Sequence, residues 1–88
     1  MTIILDGRAM TDRSAAHSHL AQRLGLPGYY GRNLDALYDA LTEISTDTRI
    51  ILEESGAVTE SLGSYGEALL ETLRDAAGEN PGLTVTMK

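Results

Sequence analysis

The sequence has no cysteine, no tryptophan and no phenylalanine, and only two prolines in 88 residues. Without cysteine there can be no disulfide, no thiolate metal site and no cysteine nucleophile. Without tryptophan or phenylalanine, the core must be aliphatic. A chain of this length buries only about 60 to 65 per cent of its unfolded surface, which predicts one domain over residues 1–88 with a modest stability margin. No apolar run approaches the roughly 20 residues of a membrane span. Met1 to Gly7 shows neither a basic leader nor a sustained apolar segment, so no secretory signal and a cytoplasmic location are expected. Positive charge is also scarce. Seven Lys and Arg face thirteen Asp and Glu, for a net charge of -6 and a pI near 4.6. Direct binding to nucleic acid or an anionic membrane is disfavoured, and a cationic partner is favoured.

What the chain does have is concentrated between Leu26 and Leu41. Three of its four tyrosines fall here, with Gly28, Gly31, Asp35 and Asp39. Pro27 fixes its own backbone and Gly28 and Gly31 widen theirs, so Leu26 to Arg32 reads as a shaped loop. Asn33 is a good N-cap for a helix starting at Leu34. Leu34, Leu37 and Leu41 then form its apolar face, leaving Asp35, Tyr38, Asp39 and Thr42 on the other. Asp35 suits the positive end of the helix dipole, but Asp39 lies at i+4 from it, and like charges at that spacing cost roughly 0.2 to 0.5 kcal/mol. No Lys or Arg stands at i±3 or i±4 of Asp39 to relieve this. A solvated helix face is one reading of the two acids. The interleaved Tyr38 and the upstream Tyr29 and Tyr30 favour another, a surface for a basic partner, because tyrosine offers rigid apolar area with a polar tip.

The remaining chain alternates strand and helix. Thr2 to Leu5 reads as a buried strand closed by Asp6-Gly7. Thr11 or Asp12 caps a helix to about Leu24, stopped by Gly25. His17 and His19 on that helix are two apart, point to different faces and cannot chelate a metal together, so they read as structural. Arg49 to Leu52 is a second apolar strand. Ser55 is expected to cap a short helix to Leu62, and Ser64-Tyr65-Gly66-Glu67 has the pattern of a capping box opening a longer one. After a turn at Asn80-Pro81-Gly82, Leu83, Val85 and Met87 alternate with polar residues as an edge strand. Long helical connections imply an α/β fold with a small three-stranded parallel sheet and four helices. The wholly apolar first strand suggests the centre, giving the order 2-1-3.

The run Leu-Pro-x-Tyr-Tyr-Gly-x-Asn-Leu-Asp-Ala-Leu-Tyr-Asp-x-Leu, from Leu26 to Leu41, closely resembles the signature of barstar-type proteins, intracellular inhibitors of secreted guanyl-preferring ribonucleases such as barnase. The resemblance continues more loosely through the whole chain and implies the same α/β architecture. It implies a 1:1 complex in which Asp39 takes the place of the scissile phosphate, Asp35 pairs with neighbouring basic or backbone groups, and Tyr29 and Tyr38 pack over the enzyme's catalytic groups. Gly31, Asn33, Leu34 and Thr42 would complete the contact edge, and Asp75 matches a family acid that meets a basic residue on the enzyme's rim. Tyr38 stands where barstar itself has a tryptophan, Ile44 replaces a large aromatic, Asp75 is one methylene shorter than its counterpart, and Arg32 is basic in an otherwise acidic loop. The resemblance implies no enzymatic activity, no cofactor or metal, and a monomer when free. Two alternatives stand beside it: an interaction or immunity module for a different basic toxin, and a small metal-dependent phosphoester hydrolase using Asp35 and Asp39.

Overall fold

The computed structural model describes residues 1–88. Its order is strand β1 (Thr2–Asp6), a 3-10 turn (Gly7–Ala9), helices α1 (Arg13–Leu24) and α2 (Leu34–Thr42), strand β2 (Thr48–Glu53), helices α3 (Ser55–Leu62) and α4 (Ser64–Glu79), and strand β3 (Leu83–Met87). The three strands are parallel and form one sheet, as expected for the α/β fold.

The strand order corrects the 2-1-3 expectation. It is β1-β2-β3, with Ile3 beside Ile50 and Ile50 beside Val85. The reason lies in how many faces the helices cover. Ile3, Leu5, Ile50, Leu52 and Leu83 are buried, whereas Thr2, Ile4, Arg49, Thr84 and Thr86 between them are exposed. Crossovers of one hand that step in one direction lay all helices on the same side of the sheet, whereas order 2-1-3 would send them to both. Four short helices supply one apolar layer. Ile4 therefore remains 38% exposed on the open face, and the apolar first strand is an edge, not the centre. That edge is covered by α1: His19 Nε2 accepts from the Asp6 amide at 2.9 Å, and Arg23 Nε donates to the Ile4 carbonyl at 2.9 Å. Paired edge groups of this kind blunt a strand against unwanted pairing.

Local signals explain most helix ends. Asp12, not Thr11, caps α1 by accepting from the Ala15 amide at 2.7 Å, and Gly25 ends it at φ 65°, in the left-handed region. Asn33 caps α2 by accepting from the Ala36 amide at 2.8 Å. Two expectations fail at the following helices. Ser55 is the first helical residue and its hydroxyl donates to the Lys88 carbonyl, while Glu54 precedes it at φ 54° with no side-chain cap. The capping box at Ser64 does not form either, because only Gly63 separates α3 from α4 and Ser64 is already helical. The two helices cross closely at Gly66, where an added Cβ would lie 2.5 Å from the Val58 carbonyl oxygen. A cluster of fifteen buried apolar residues, with Leu5, Leu20, Leu37, Ile50 and Leu73 fully enclosed, fills the space between the sheet and the helices. No helix is long and apolar enough to cross a membrane.

Candidate functional site

Helix α2 is the natural centre of a surface site, because it packs mainly on α4 and leaves its far side open. Leu37 and Leu41 are buried and Leu34 is half-buried, which fixes the rotation of the helix about its axis. That rotation exposes Asp35 and Asp39. The molecule's only side-chain ion pair within 4.0 Å is Arg8 with Asp6, so neither aspartate of α2 is matched by a cation of its own chain. Tyr38 is half-buried against the core and sits in a shallow cleft with Arg74, Asp75 and Glu79 of α4. Its hydroxyl pKa is raised by desolvation and by the carboxylates of Glu79, Asp75 and Asp39. Asp75 is thus brought beside Tyr38 at the middle of α2, across the α2–α4 contact. Thr42 is half-buried, and its hydroxyl donates to the Asp39 carbonyl at 3.1 Å.

The loop before α2 supplies a second wall. Tyr29 is 89% exposed and borders a groove with Leu26, Gly31, Ala40, Asp39 and Glu43. Gly31 is pressed against the first turn of α2: a Cβ there would sit 3.1 Å from Ala36 Cβ. Asn33 holds the loop from the other side, its Nδ2 donating to the Gly31 carbonyl at 3.2 Å. The sequence residues Tyr29, Gly31, Asn33, Leu34, Asp35, Tyr38, Asp39 and Thr42 therefore share one loop-and-helix surface, with Asp75 adjoining it.

Three residues that position this surface were not legible as such. His17, read from the sequence as merely structural, joins the loop to α4: Nδ1 meets the Tyr30 hydroxyl and Nε2 the Tyr65 hydroxyl, each at 2.7 Å. Burial lowers the His17 pKa, with Arg32 adding to the effect, so the ring is neutral and donates to one phenol while accepting from the other. Desolvation, with the neighbouring Tyr65 adding to it, raises the pKa of Tyr30 to about 12. Arg32, at φ 56°, ties the loop to α1 through Nη2, which donates to the Ser14 carbonyl at 2.9 Å and the Ser18 hydroxyl at 3.0 Å. Asn80, read as a turn residue, is buried under the end of α2. Its Nδ2 donates to the carbonyls of Leu41 and Ile44 at 3.0 and 2.9 Å, and its Oδ1 accepts from the Gly82 amide. Leaving those carbonyls unpaired would cost on the order of 1–3 kcal/mol.

The family model described as Barstar (barnase inhibitor) matches residues 1–88. The chain belongs to the barstar family. It is also 38% identical, over 78 residues, to a Bacillus subtilis (strain 168) protein named "Putative ribonuclease inhibitor YrdF"; the match spans 88% of this chain and 86% of that one. In this barstar-family chain, the acidic helix and tyrosine loop coincide with the stretch whose sequence carries the family signature. No group of three or more His, Asp or Glu side chains comes together as a metal site, so Asp35 and Asp39 gain no third ligand.

Proposed function

We propose that this chain inhibits a secreted, guanyl-preferring ribonuclease of the barnase type by occluding its active site in a 1:1 complex. The observation that carries this reading is the pair of unmatched carboxylates, Asp35 and Asp39, exposed one turn apart on a helix whose rotation is fixed by buried Leu37 and Leu41. An enzyme that cleaves RNA must hold a phosphate with cationic donors, and a carboxylate presented on a rigid convex surface can occupy that place. Asp39 takes the scissile-phosphate position and Asp35 meets the neighbouring basic or backbone groups. Tyr29 and Tyr38 supply apolar area on either side, and Gly31, Asn33, Leu34 and Thr42 shape the edge. Asp75 reaches the basic rim. This chain performs no chemistry in that scheme, which makes it an inhibitor and not an enzyme. Its natural setting would be the cytoplasm of the cell that makes the ribonuclease.

The test is RNA cleavage by a panel of such ribonucleases, titrated with wild-type protein, Asp39→Ala and Glu71→Ala. Glu71 is an exposed acid of α4 outside the proposed surface and serves as control. Wild type and Glu71→Ala should inhibit stoichiometrically. Asp39→Ala should lose about 2–5 kcal/mol or more of binding energy, mostly through faster dissociation. That range is drawn from barnase and barstar themselves, so it is carried over by analogy. Equal effects of the two substitutions would remove Asp39 from the centre of the site. If no enzyme is inhibited by the folded protein, the acidic surface belongs to another basic protein, such as a toxin of different activity.

A further inference from the structure

Overlapping the acidic surface at Asp35 lies a notch in which arginines outnumber acids. Arg13 and Ser14 of α1, Arg32 of the loop, Asp35 of α2 and Tyr65 of α4 are among the residues that line it. The two arginines are held in place. The Arg13 guanidinium carbon lies 4.1 Å from the centroid of the Tyr65 ring, and Tyr65 is itself anchored on His17. Arg32 spends only Nη2 on its own chain, and its Nε and Nη1 donate to no protein atom.

Neither guanidinium has a carboxylate within 4.0 Å, although the chain carries thirteen acids against seven bases. Placing two cations in one notch is electrostatically unfavourable by itself. A guanidinium with open donors is shaped to grip a carboxylate through two parallel hydrogen bonds. We propose that this notch is a specificity subsite that takes a carboxylate of the bound ribonuclease between Arg13 and Arg32, while a basic neighbour of that carboxylate meets Asp35.

This proposal rests on the inhibitor reading and sharpens its choice of partner. A uniformly basic rim would place a cation against Arg13 and Arg32. A rim that alternates acid and base would match both walls of the notch and fix the partner's register along α2. The net charge of -6 favours an acidic side chain on an otherwise basic protein over a polyanion as the occupant.

The experiment measures association and dissociation rates of an inhibited ribonuclease with wild type, Arg13→Ala, Arg13→Glu and Asp39→Ala. It is run in phosphate and in phosphate-free buffer at equal ionic strength. Arg13 is exposed and its guanidinium bonds to no backbone group, so these variants keep the fold. General electrostatic steering and the proposed subsite give opposite signs. Losing Arg13 takes the net charge from -6 to -7, which by steering alone speeds association with a basic partner and tightens binding. The subsite instead requires dissociation about tenfold faster for Arg13→Ala and faster still for Arg13→Glu, in both buffers. Unchanged or slower dissociation overturns the proposal, and an effect confined to phosphate buffer overturns it by giving the notch to a free anion. Asp39→Ala reports separately on the parent reading: strong weakening there with tighter binding by Arg13→Ala removes the subsite alone. If no ribonuclease is inhibited, both fall.

Discussion

His17 carries more of this molecule than its place on an amphipathic helix suggests. It bridges Tyr30, thirteen residues away, and Tyr65, forty-eight residues away, so the loop before α2 and the start of α4 are both referred to one imidazole. Its pKa is depressed by burial, and that of His19, which accepts the Asp6 amide, is depressed for the same main reason. The folded state therefore binds fewer protons than the unfolded chain just below the ordinary histidine value of 6.5. Stability contributed by the neutral rings is fully present above about pH 6.5 and is lost as pH falls from there through the lower folded-state values. Urea midpoints should accordingly decline on acidification through this window. NMR titration should show both rings protonating below 6.5. A His17 that titrates at or above that value would contradict the buried neutral bridge. Neither this bridge nor the Asn80 clamp on Leu41 and Ile44 could be read from neighbours in sequence, because hydrogen-bond partners so far apart are set by the tertiary fold.

At the scale of elements, legibility follows how local the cause is. Helix α2 was readable to the residue, since its cap Asn33 and its apolar face Leu34, Leu37 and Leu41 are all contained within nine positions. The α3–α4 junction was not, because Ser64 looks like a cap until the packing of two helices around Gly63 makes it helical. Strand order failed for a related reason: Ile4 is apolar, yet whether it is covered depends on where later helices go. The close crossing at Gly66 gives a sharp contrast within a single helix. Gly66→Ala must force the Val58 carbonyl aside and should destabilise by about 1–3 kcal/mol, despite alanine's better helix propensity. Gly78→Ala, in the same helix with nothing within 4 Å of the added Cβ, should stabilise by a few tenths to about 1 kcal/mol. Denaturant midpoints of the two variants should move in opposite directions. A gain from Gly66→Ala would mean that the crossing has room for a methyl group and contradict the close approach of the Val58 carbonyl.

For the molecule as a whole, charge and architecture act together. The net charge of -6 should steer a basic enzyme toward the surface, so association with an inhibited ribonuclease should slow steeply as salt rises, with dissociation much less affected. Association indifferent to salt would point to an apolar docking surface elsewhere. The acidic balance of the chain was legible from composition alone. The Arg13–Arg32 notch within that acidic field was not, because it draws on three helices and a loop. The single helical layer also leaves the sheet with an open face, where Thr84 and Thr86 of β3 point away from the helices that carry Asp35 and Asp39. Since the chain contains no cysteine, a Thr86→Cys substitution would create its one thiol on this opposite side. The fold thus comes with a rear attachment point, from which a dye can report on the protein, or a sensor surface can hold it, with the acidic helix facing outward.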